Sequence, residues 1–181
     1  MVKDFIDRIK NLNWFFVFAI LFLTFVGVVM IYSATLGMKV SILIPHLIKI
    51  LLGVILMIFV GTVNVDFWRK NGYFLYFFGL LLLCWATFYG FLGKGSRRWI
   101  SVYNLNFQPS ELMKIFVIIS LAKFFDEKKI QDSKDYFSLI LPIILVCLPV
   151  FLIFTQPDLG TAIIILFISF IVFFAAGLSW K

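Results

Sequence analysis

Six apolar stretches dominate this 181-residue chain. They cover residues 14–33, 42–62, 73–92, 109–125, 137–155 and 159–180. Each is close to the roughly 17–25 residues that a helix needs to cross the hydrocarbon core of a bilayer. Hydrophobic residues make up 63% of the chain and charged residues 14%, against roughly 45–50% and about 25% in soluble domains. The sequence therefore predicts an all-α integral membrane protein with about six transmembrane helices, organised as one polytopic membrane domain over residues 1–181.

A soluble helical bundle is the first alternative to a membrane protein. It would need polar stripes at helical spacing, yet stretches 14–33 and 73–92 carry no charge on any face. The basic residues Lys3, Arg8 and Lys10 before the first apolar run also resemble a signal peptide. That run has about 20 residues, longer than the usual 7–15 of a signal peptide core. A first transmembrane helix is the better interpretation.

The distribution of basic residues predicts which way the chain sits in the membrane. With a cytoplasmic N-terminus, ten bases fall in inner segments and four in outer loops, and an excess of bases marks the cytoplasmic side. The inner bases are Lys3, Arg8, Lys10, Arg69, Lys70, Lys123, Lys128, Lys129, Lys134 and Lys181. The outer bases are Lys39, Lys94, Arg97 and Arg98. The bias predicts a multi-pass membrane protein with its N-terminus in the cytoplasm.

Several other classes of protein are not favoured. Cys84 and Cys147 lie within apolar stretches, so a structural disulfide is not expected. The formal charge of +7 comes from bases dispersed between hydrophobic spans, with no basic, aromatic-interleaved module for nucleic acid. No set of residues predicts a metal site or a cofactor. The bilayer itself is the first expected partner.

The outer loop at 93–107 concentrates positive charge on the side that should have little. Its sequence G-K-G-S-R-R-W-I-S-V-Y-N-L-N-F places three bases beside Trp99 and Tyr103. Arginine offers planar, bidentate donors for phosphate, and tryptophan sits at the headgroup level or stacks on a sugar. The loop is therefore either a site for an anionic lipid headgroup or an interfacial anchor, and its chemistry alone favours neither.

Charged residues also occur at the predicted outer ends of two spans. In Q-P-S-E-L-M-K-I, residues 108–115, Pro109 opens a helix whose first turn carries Glu111, where an acid favours the helix dipole. Lys114 follows at i+3, on the same face and close enough to pair. In Q-P-D-L-G-T-A, residues 156–162, Asp158 stands at a similar helix start. Helix capping explains Glu111 alone but leaves Lys114 unexplained.

Two further polar residues lie in the second span. Lys49 is about seven residues, or roughly 10 Å, into that span from its outer end, and His46 lies on the same face three residues earlier. His46 is equally well a core or interfacial histidine, and it suggests no metal site.

Charges inside spans cost about 2.5–3.5 kcal/mol each on insertion scales and therefore seek a partner or a wet cavity. We expect Glu111, Lys114 and Asp158 to form one intramembrane network. The network either lines a functional cavity or serves only as polar contact between helices.

Four motifs together resemble a known family. They are M-I-Y-S-A-T at 30–35, R-W-I at 98–100, F-Q-P-S-E-L-M-K-I at 107–115 and Q-P-D-L-G-T-A at 156–162. Their order and spacing resemble the shape, elongation, division and sporulation (SEDS) family of RodA, FtsW and SpoVE. The chain resembles the first six helices of that family's ten-helix bundle. The ending A-G-L-S-W-K at 176–181 resembles the elongation (RodA) subfamily more than the division (FtsW) subfamily.

The resemblance implies a location in the bacterial cytoplasmic (inner) membrane and a function in cell-wall elongation and maintenance of cell shape. SEDS proteins are peptidoglycan glycosyltransferases that polymerise lipid II, an undecaprenyl-pyrophosphate-linked disaccharide peptide, together with a class B penicillin-binding protein. Three alternatives stay open: a lipid II flippase, a division-specific FtsW-type member and a non-catalytic scaffold. A divalent cation could serve the family, but no site for one is visible in the sequence.

The resemblance also implies roles for particular residues. The family ties the acid and base of S-E-L-M-K to the Asp of Q-P-D-L-G-T, here Glu111, Lys114 and Asp158. Expected substrate-binding residues are Arg98, Trp99, Lys49, Gln108 and Ser110. The family's catalytic carboxylate lies in an outer loop between the seventh and eighth helices, so no catalytic residue is predicted here. The ending at Lys181 suggests a truncated product, and whether the chain is itself an enzyme stays open.

Overall fold

A computed structural model describes residues 12–36, 43–93, 96–102, 105–128 and 139–177. Several residues used for the predictions above lie outside these ranges. They are Lys3, Arg8, Lys10, Lys39, Lys94, Tyr103, Lys129, Lys134, Lys181 and the tail from 178 onward.

Six helices confirm the predicted all-α class. They are α1 (Trp14–Thr35), α2 (Leu43–Thr62), α3 (Val65–Tyr89), α4 (Pro109–Glu127), α5 (Ile140–Thr155) and α6 (Leu159–Ala175). The third helix begins eight residues before the predicted start, at 65 instead of 73, and ends at Tyr89 rather than 92. Its first turns contain the charged residues Asp66, Arg69 and Lys70. A hydropathy criterion leaves charged residues out of an apolar stretch, although these three are helical. The last helix stops at Ala175, not 180, because Gly177 takes a left-handed φ of 84° after it.

Helices α1, α2 and α3 are each long and apolar enough to cross a membrane. The described parts of α5 and α6 are equally apolar but have 16 and 17 residues. Helix α4 has 19 residues and carries Glu111, Lys114 and Lys123 along its length. Helices α5 and α6 carry no charged residue in their described parts, so α4 is the charged helix among these three.

Three short strands, which the sequence did not suggest, occupy the described part of the 93–107 loop. Strands β1 (Phe91–Gly93), β2 (Ser96–Val102) and β3 (Leu105–Phe107) form an antiparallel sheet in the order β1-β2-β3. Ile100 pairs with Phe107 and Val102 with Leu105. The strands follow α3 and run directly into α4, so they lie at one end of both helices, which we call the hairpin end.

The described residues fall into two compact units, Met1–Asn64 and Val65–Lys181, while the single-domain organisation stays a prediction. In the first unit, α1 and α2 contact each other, and neither buries an apolar side chain. Their hydroxyls bond to their own helix backbone: Thr24 Oγ1 donates to Ile20 O at 2.7 Å and Thr62 Oγ1 to Phe59 O at 2.8 Å. Each helix satisfies these polar groups internally, as spanning in lipid requires.

In the second unit, α3 packs closely on α4 through a stripe of small and apolar residues. The buried positions on α3 are Gly72, Tyr76, Gly79, Leu83 and Ala86, spaced by three or four residues along one face. A Cβ built on Gly79 would lie 2.7 Å from Phe116 Cδ2 and 2.8 Å from Met113 Sδ, both on α4. Glycine thus allows the close approach that stabilises helix pairs in lipid.

Helix α4 is buried against three neighbours. Its residues Val117 and Leu121 join Leu83 of α3, Ile153 of α5 and Ile165 of α6 in one core, all 1% exposed or less. Ser120 adds a hydrogen bond across the α3–α4 contact, with its hydroxyl 3.0 Å from Gly72 O. The packing places α4 at the centre of the second unit.

We predict that Gly79→Leu lowers the free energy of unfolding by about 1–3 kcal/mol, because the new side chain overpacks the α3–α4 contact. Thermal unfolding of the detergent-purified chain measures the effect. Gly53→Leu in α2 is the matched control, since no atom lies within 4 Å of a Cβ built there. Equal stability of the two variants would contradict the close packing.

Candidate functional site

Asp158 lies at the start of α6, where its side chain caps the helix. Its carboxylate accepts hydrogen bonds from Thr161 N at 3.4 Å and from Thr161 Oγ1 at 2.9 Å. Aspartate is a preferred cap because it satisfies the free N–H groups of the first turn and favours the positive end of the dipole. Asp158 is buried, with 9% of its surface exposed. Helix capping therefore explains the contacts of Asp158 with Thr161. The buried negative charge of Asp158 still requires a positively charged partner.

Two residues at the hairpin end bind the same carboxylate. Gln108 Nε2 donates to Asp158 Oδ2 at 2.7 Å, and Arg98 NH1 lies 3.5 Å from Oδ1. Gln108 is the residue just before α4, whose first residue is Pro109. Both carboxylate oxygens are thus engaged, and the ion pair is largely shielded, with 22% of the Arg98 side chain exposed. We call Arg98, Gln108, Asp158 and Thr161 the Asp158 cluster.

A bulge in the sheet accounts for the position of Arg98. Phe91 pairs with Trp99 and Leu92 pairs with Arg97, so Arg98 is the extra residue of β2 and has no partner in β1. An extra residue bends the strand and redirects side chains. Because β3 then leads directly into Gln108, the short hairpin β2-β3 supplies both groups that reach Asp158.

The Asp158 cluster retains an unused donor. Arg98 Nε is buried and makes no hydrogen bond to the described residues. A guanidinium has five N–H donors, and the ion pair with Asp158 is made through NH1. The remaining donors of Arg98 can bind an anion. The carboxylate of Asp158, in contrast, is engaged by Arg98, Gln108 and Thr161. Asp158 therefore positions Arg98 and is not a free base.

Glu111 and Lys114 form the predicted pair, but the structure places Asp158 with different partners. Lys114 Nζ lies 3.0 Å from both Glu111 oxygens, and the two residues are on one face of α4. Lys114 is six residues beyond Gln108, about 9 Å further along the axis, whereas the Arg98 guanidinium is directed at Asp158 from the hairpin. The expected network is therefore divided into the Glu111–Lys114 pair and the Asp158 cluster.

Gln156, which the sequence analysis passed over, connects the same motif to α3. Its amide Nε2 donates to Leu83 O at 3.1 Å and Thr87 Oγ1 at 2.8 Å, and the residue is 2% exposed. Its Oε1 is buried without a partner among the described residues. The available signal was the repeated Gln-Pro that precedes both α4 and α6. Both glutamines bridge helices through their side-chain amides.

A cleft of about 470 Å³ opens beside the sheet. It is lined by Trp85, Tyr89, Gly90, Arg97, Trp99, Ile100 and Ser101. Trp99 therefore lies in this cleft, next to Arg97, and Arg98 is directed at Asp158. The two residues that the sequence analysis treated as one substrate contact belong to different surroundings.

The remaining predicted substrate residues are Ser110 and Lys49. Ser110 is completely buried, and its hydroxyl has no partner among the described residues. Lys49 is exposed on α2 and His46 half-buried there, in the other compact unit. Substrate binding by these residues stays a prediction. Within the described ranges, no three His, Cys, Asp or Glu residues lie where they could hold a metal ion.

The sequence of this chain is similar to those of known bacterial proteins. The sequence pattern of the FtsW, RodA and SpoVE cell cycle proteins matches residues 13–181. The peptidoglycan glycosyltransferase MrdB of Escherichia coli K12 is 28% identical over 179 residues, covering 99% of this chain and 47% of that protein. A probable peptidoglycan glycosyltransferase FtsW of Geobacter sp. M18 is 33% identical over 94% of this chain and 49% of its own length. The chain thus spans about half the length of these curated relatives.

Solved structures agree with the sequence comparison. The rod shape determining protein RodA of Thermus thermophilus superposes with a TM-score of 0.83 at 30% identity, covering 95% of this chain and 56% of that one. A chain of a peptidoglycan synthase complex that coordinates polymerization and crosslinking gives a TM-score of 0.74 at 30% identity, over 90% and 48%. With its apolar helices, the chain is a multi-pass bacterial membrane protein, and it belongs to the FtsW/RodA/SpoVE family of cell cycle proteins.

Proposed function

We propose that this chain forms about half of a peptidoglycan glycosyltransferase that polymerises lipid II, working with a class B penicillin-binding protein. Relatives named peptidoglycan glycosyltransferases support the activity, and likeness to a chain of a peptidoglycan synthase complex supports the partner. The observation that carries the proposal is the half-buried Arg98, which pairs with Asp158 and whose buried Nε donor has no partner among the described residues.

The chemistry assigns a definite role to the Asp158 cluster. Glycan polymerisation releases a lipid diphosphate, and preorganised cations stabilise the charge that develops on such a leaving group. Arg98 offers that positive charge, while Asp158 and the bulge in β2 fix its position. Asp158 is committed to donors from three residues, Arg98, Gln108 and Thr161, and therefore does not act as the base that deprotonates the acceptor hydroxyl. That base belongs to the rest of the protein.

The orientation is part of the same proposal. The charge bias of the sequence places the hairpin end outside the cytoplasm, on the side where the glycan is built, and the opposite end of α4 inside. Arg69 and Asp126 form an ion pair of 2.7 Å at that opposite end, consistent with a charged, solvated surface.

We predict that Arg98→Ala, in a full-length protein that contains this chain, lowers polymerisation of lipid II by about 10²–10³-fold, the usual effect of removing one stabilising donor. Glycan strands formed from lipid II in detergent provide the measurement, because transport across a bilayer contributes nothing there. Arg69→Ala is the control and should stay within about threefold, since Arg69 is far from the cluster along α3. Unchanged activity of Arg98→Ala would contradict the proposed role, and a wild-type protein that transports lipid II but forms no strands would identify a flippase.

We also predict energetic coupling between Arg98 and Asp158. Asp158→Asn keeps a good helix cap but leaves Arg98 without its counter-charge, so it should destabilise the chain more than the Arg98→Gln, Asp158→Asn double variant does. Thermal unfolding of the four proteins should give a coupling energy of about 0.5–3 kcal/mol. The Glu111→Gln, Lys114→Gln cycle is the matched comparison. Its coupling should be about 0–1 kcal/mol, because the Glu111 side chain is 57% exposed. Purely additive effects at Arg98 and Asp158 would refute the ion pair.

Cysteine labelling tests the orientation. In a Cys84→Ala, Cys147→Ala background, we expect Ser101→Cys on β2 to react with an impermeant thiol reagent in intact spheroplasts. Lys128→Cys, at the opposite end of α4, should react only after lysis. Ser101 and Lys128 are both exposed, so a difference in labelling reports their side of the membrane. The reverse pattern would invert the topology.

A further inference from the structure

We propose that the cleft beside the sheet binds the headgroup of an anionic phospholipid whose acyl chain lies along the exposed face of α3. This site is separate from the Asp158 cluster and does not depend on the proposed glycosyltransferase activity. Its residues are the cleft residues Trp85, Tyr89, Arg97, Trp99 and Ser101.

The cleft has the chemistry of a phosphate site. Among the described residues, Arg97 is the one charged lining residue, and a single long contact is made by its guanidinium, from NH1 to Phe88 O at 3.4 Å. The indole N–H groups of Trp85 and Trp99 are donors only, and the hydroxyls of Tyr89 and Ser101 can also donate. The described lining contains no carboxylate and no carboxamide. A ligand that accepts hydrogen bonds and carries negative charge therefore fits better than a sugar, whose hydroxyls also need acceptors.

The aromatic residues place the cleft at the membrane surface. Trp85 and Tyr89 occupy the last turns of α3, with ring centroids 5.0 Å apart, and they are 58% and 75% exposed. Tryptophan and tyrosine concentrate at the interface between hydrocarbon and headgroups. Arg97 thus lies at the depth where lipid phosphates are found.

The exposed face of α3 continues from the cleft as an apolar stripe. Phe74, Phe78, Leu81 and Phe88 are all at least 45% exposed, on the opposite side of α3 from the stripe that packs on α4. From Phe88 to Phe74 the helix rises about 21 Å, more than half of the roughly 30 Å hydrocarbon core. The stripe is therefore long enough to cover one leaflet, so a lipid with its phosphate at Arg97 can lay an acyl chain along it.

Adjacent residues of a strand face opposite sides of the sheet, so Arg97 and Arg98 have different surroundings. Arg98 forms an ion pair with the buried carboxylate of Asp158, whereas no carboxylate of the described residues pairs with Arg97 in the cleft. An uncompensated cation selects an anionic headgroup over a zwitterionic one.

Native mass spectrometry of the delipidated chain, titrated with phosphatidylglycerol or phosphatidylcholine, tests the proposal. We expect the wild type to prefer phosphatidylglycerol, and Arg97→Gln to weaken that preference about fivefold, the effect of one basic residue near an anionic lipid surface. Arg97→Lys should retain most of the preference, and Trp99→Leu should weaken binding of both lipids. Arg69→Gln removes the same charge at the opposite end of α3 and should leave the preference unchanged at this cleft.

Three results would overturn the proposal. One is an unchanged preference in Arg97→Gln with wild-type thermal stability. A second is Trp99-dependent binding of a lipid-free disaccharide, which would identify a sugar site. A third is Arg97-dependent displacement of phosphatidylglycerol by equimolar lipid II, which would assign the phosphate to the substrate instead.

Discussion

The second unit depends on a single carboxylate that three separate segments bind. Asp158 begins α6, Gln108 precedes α4, and Arg98 comes from β2. A buried charge is tolerated only when partners satisfy it, so the two helix starts and the hairpin have to meet at one point. The carboxylate therefore orders a loop that apolar packing alone would leave without a fixed position.

Close packing of α3 on α4 keeps the ends of these helices in register. Gly79 lets Phe116 and Met113 approach the α3 backbone, and Ser120 bonds to Gly72 O across the contact. At the opposite end, Lys123 Nζ donates to Lys70 O at 2.8 Å and lies 4.6 Å from the ring centre of Tyr73. These polar contacts lie at the end of the pair away from the hairpin, and Gly79 lies nearer the hairpin end. The close packing of α3 on α4 brings the end of α3, which leads into the hairpin, beside Gln108 at the start of α4.

The sequence predicted what hydropathy and helix signals encode. Apolar length located the six helices, and Pro109 with Glu111 correctly indicated the start of α4. The predicted start of α3 was too late because its first turns contain the charged residues Asp66, Arg69 and Lys70. These residues are helical but do not belong to an apolar stretch. The motifs also contain the residues of the Asp158 cluster, but the sequence grouped Asp158 with Glu111 and Lys114, assigned Arg98 and Gln108 to the substrate, and did not single out Thr161.

The strand register of the sheet and the partners of Asp158 could not be predicted from the sequence. The i+3 spacing of Glu111 and Lys114 is local and predicted their pair, whereas Asp158 chooses between bases that come from distant segments. That choice depends on a one-residue bulge in β2, which no composition reveals. Gln156 was missed for the same reason, since its role requires Leu83 and Thr87 of α3 beside it.

The adjacent arginines Arg97 and Arg98 show how one strand can serve two chemistries. Alternation along β2 directs the two side chains to opposite faces of the sheet, and the bulge leaves Arg98 without a partner in β1. With Arg98 outside the ladder, one guanidinium is held by Asp158 and the other lines an aromatic cleft. The first is a preorganised, shielded cation suited to a developing charge, and the second is an open cation suited to a resident anion. The same residue type therefore serves the interior and the membrane surface within one strand.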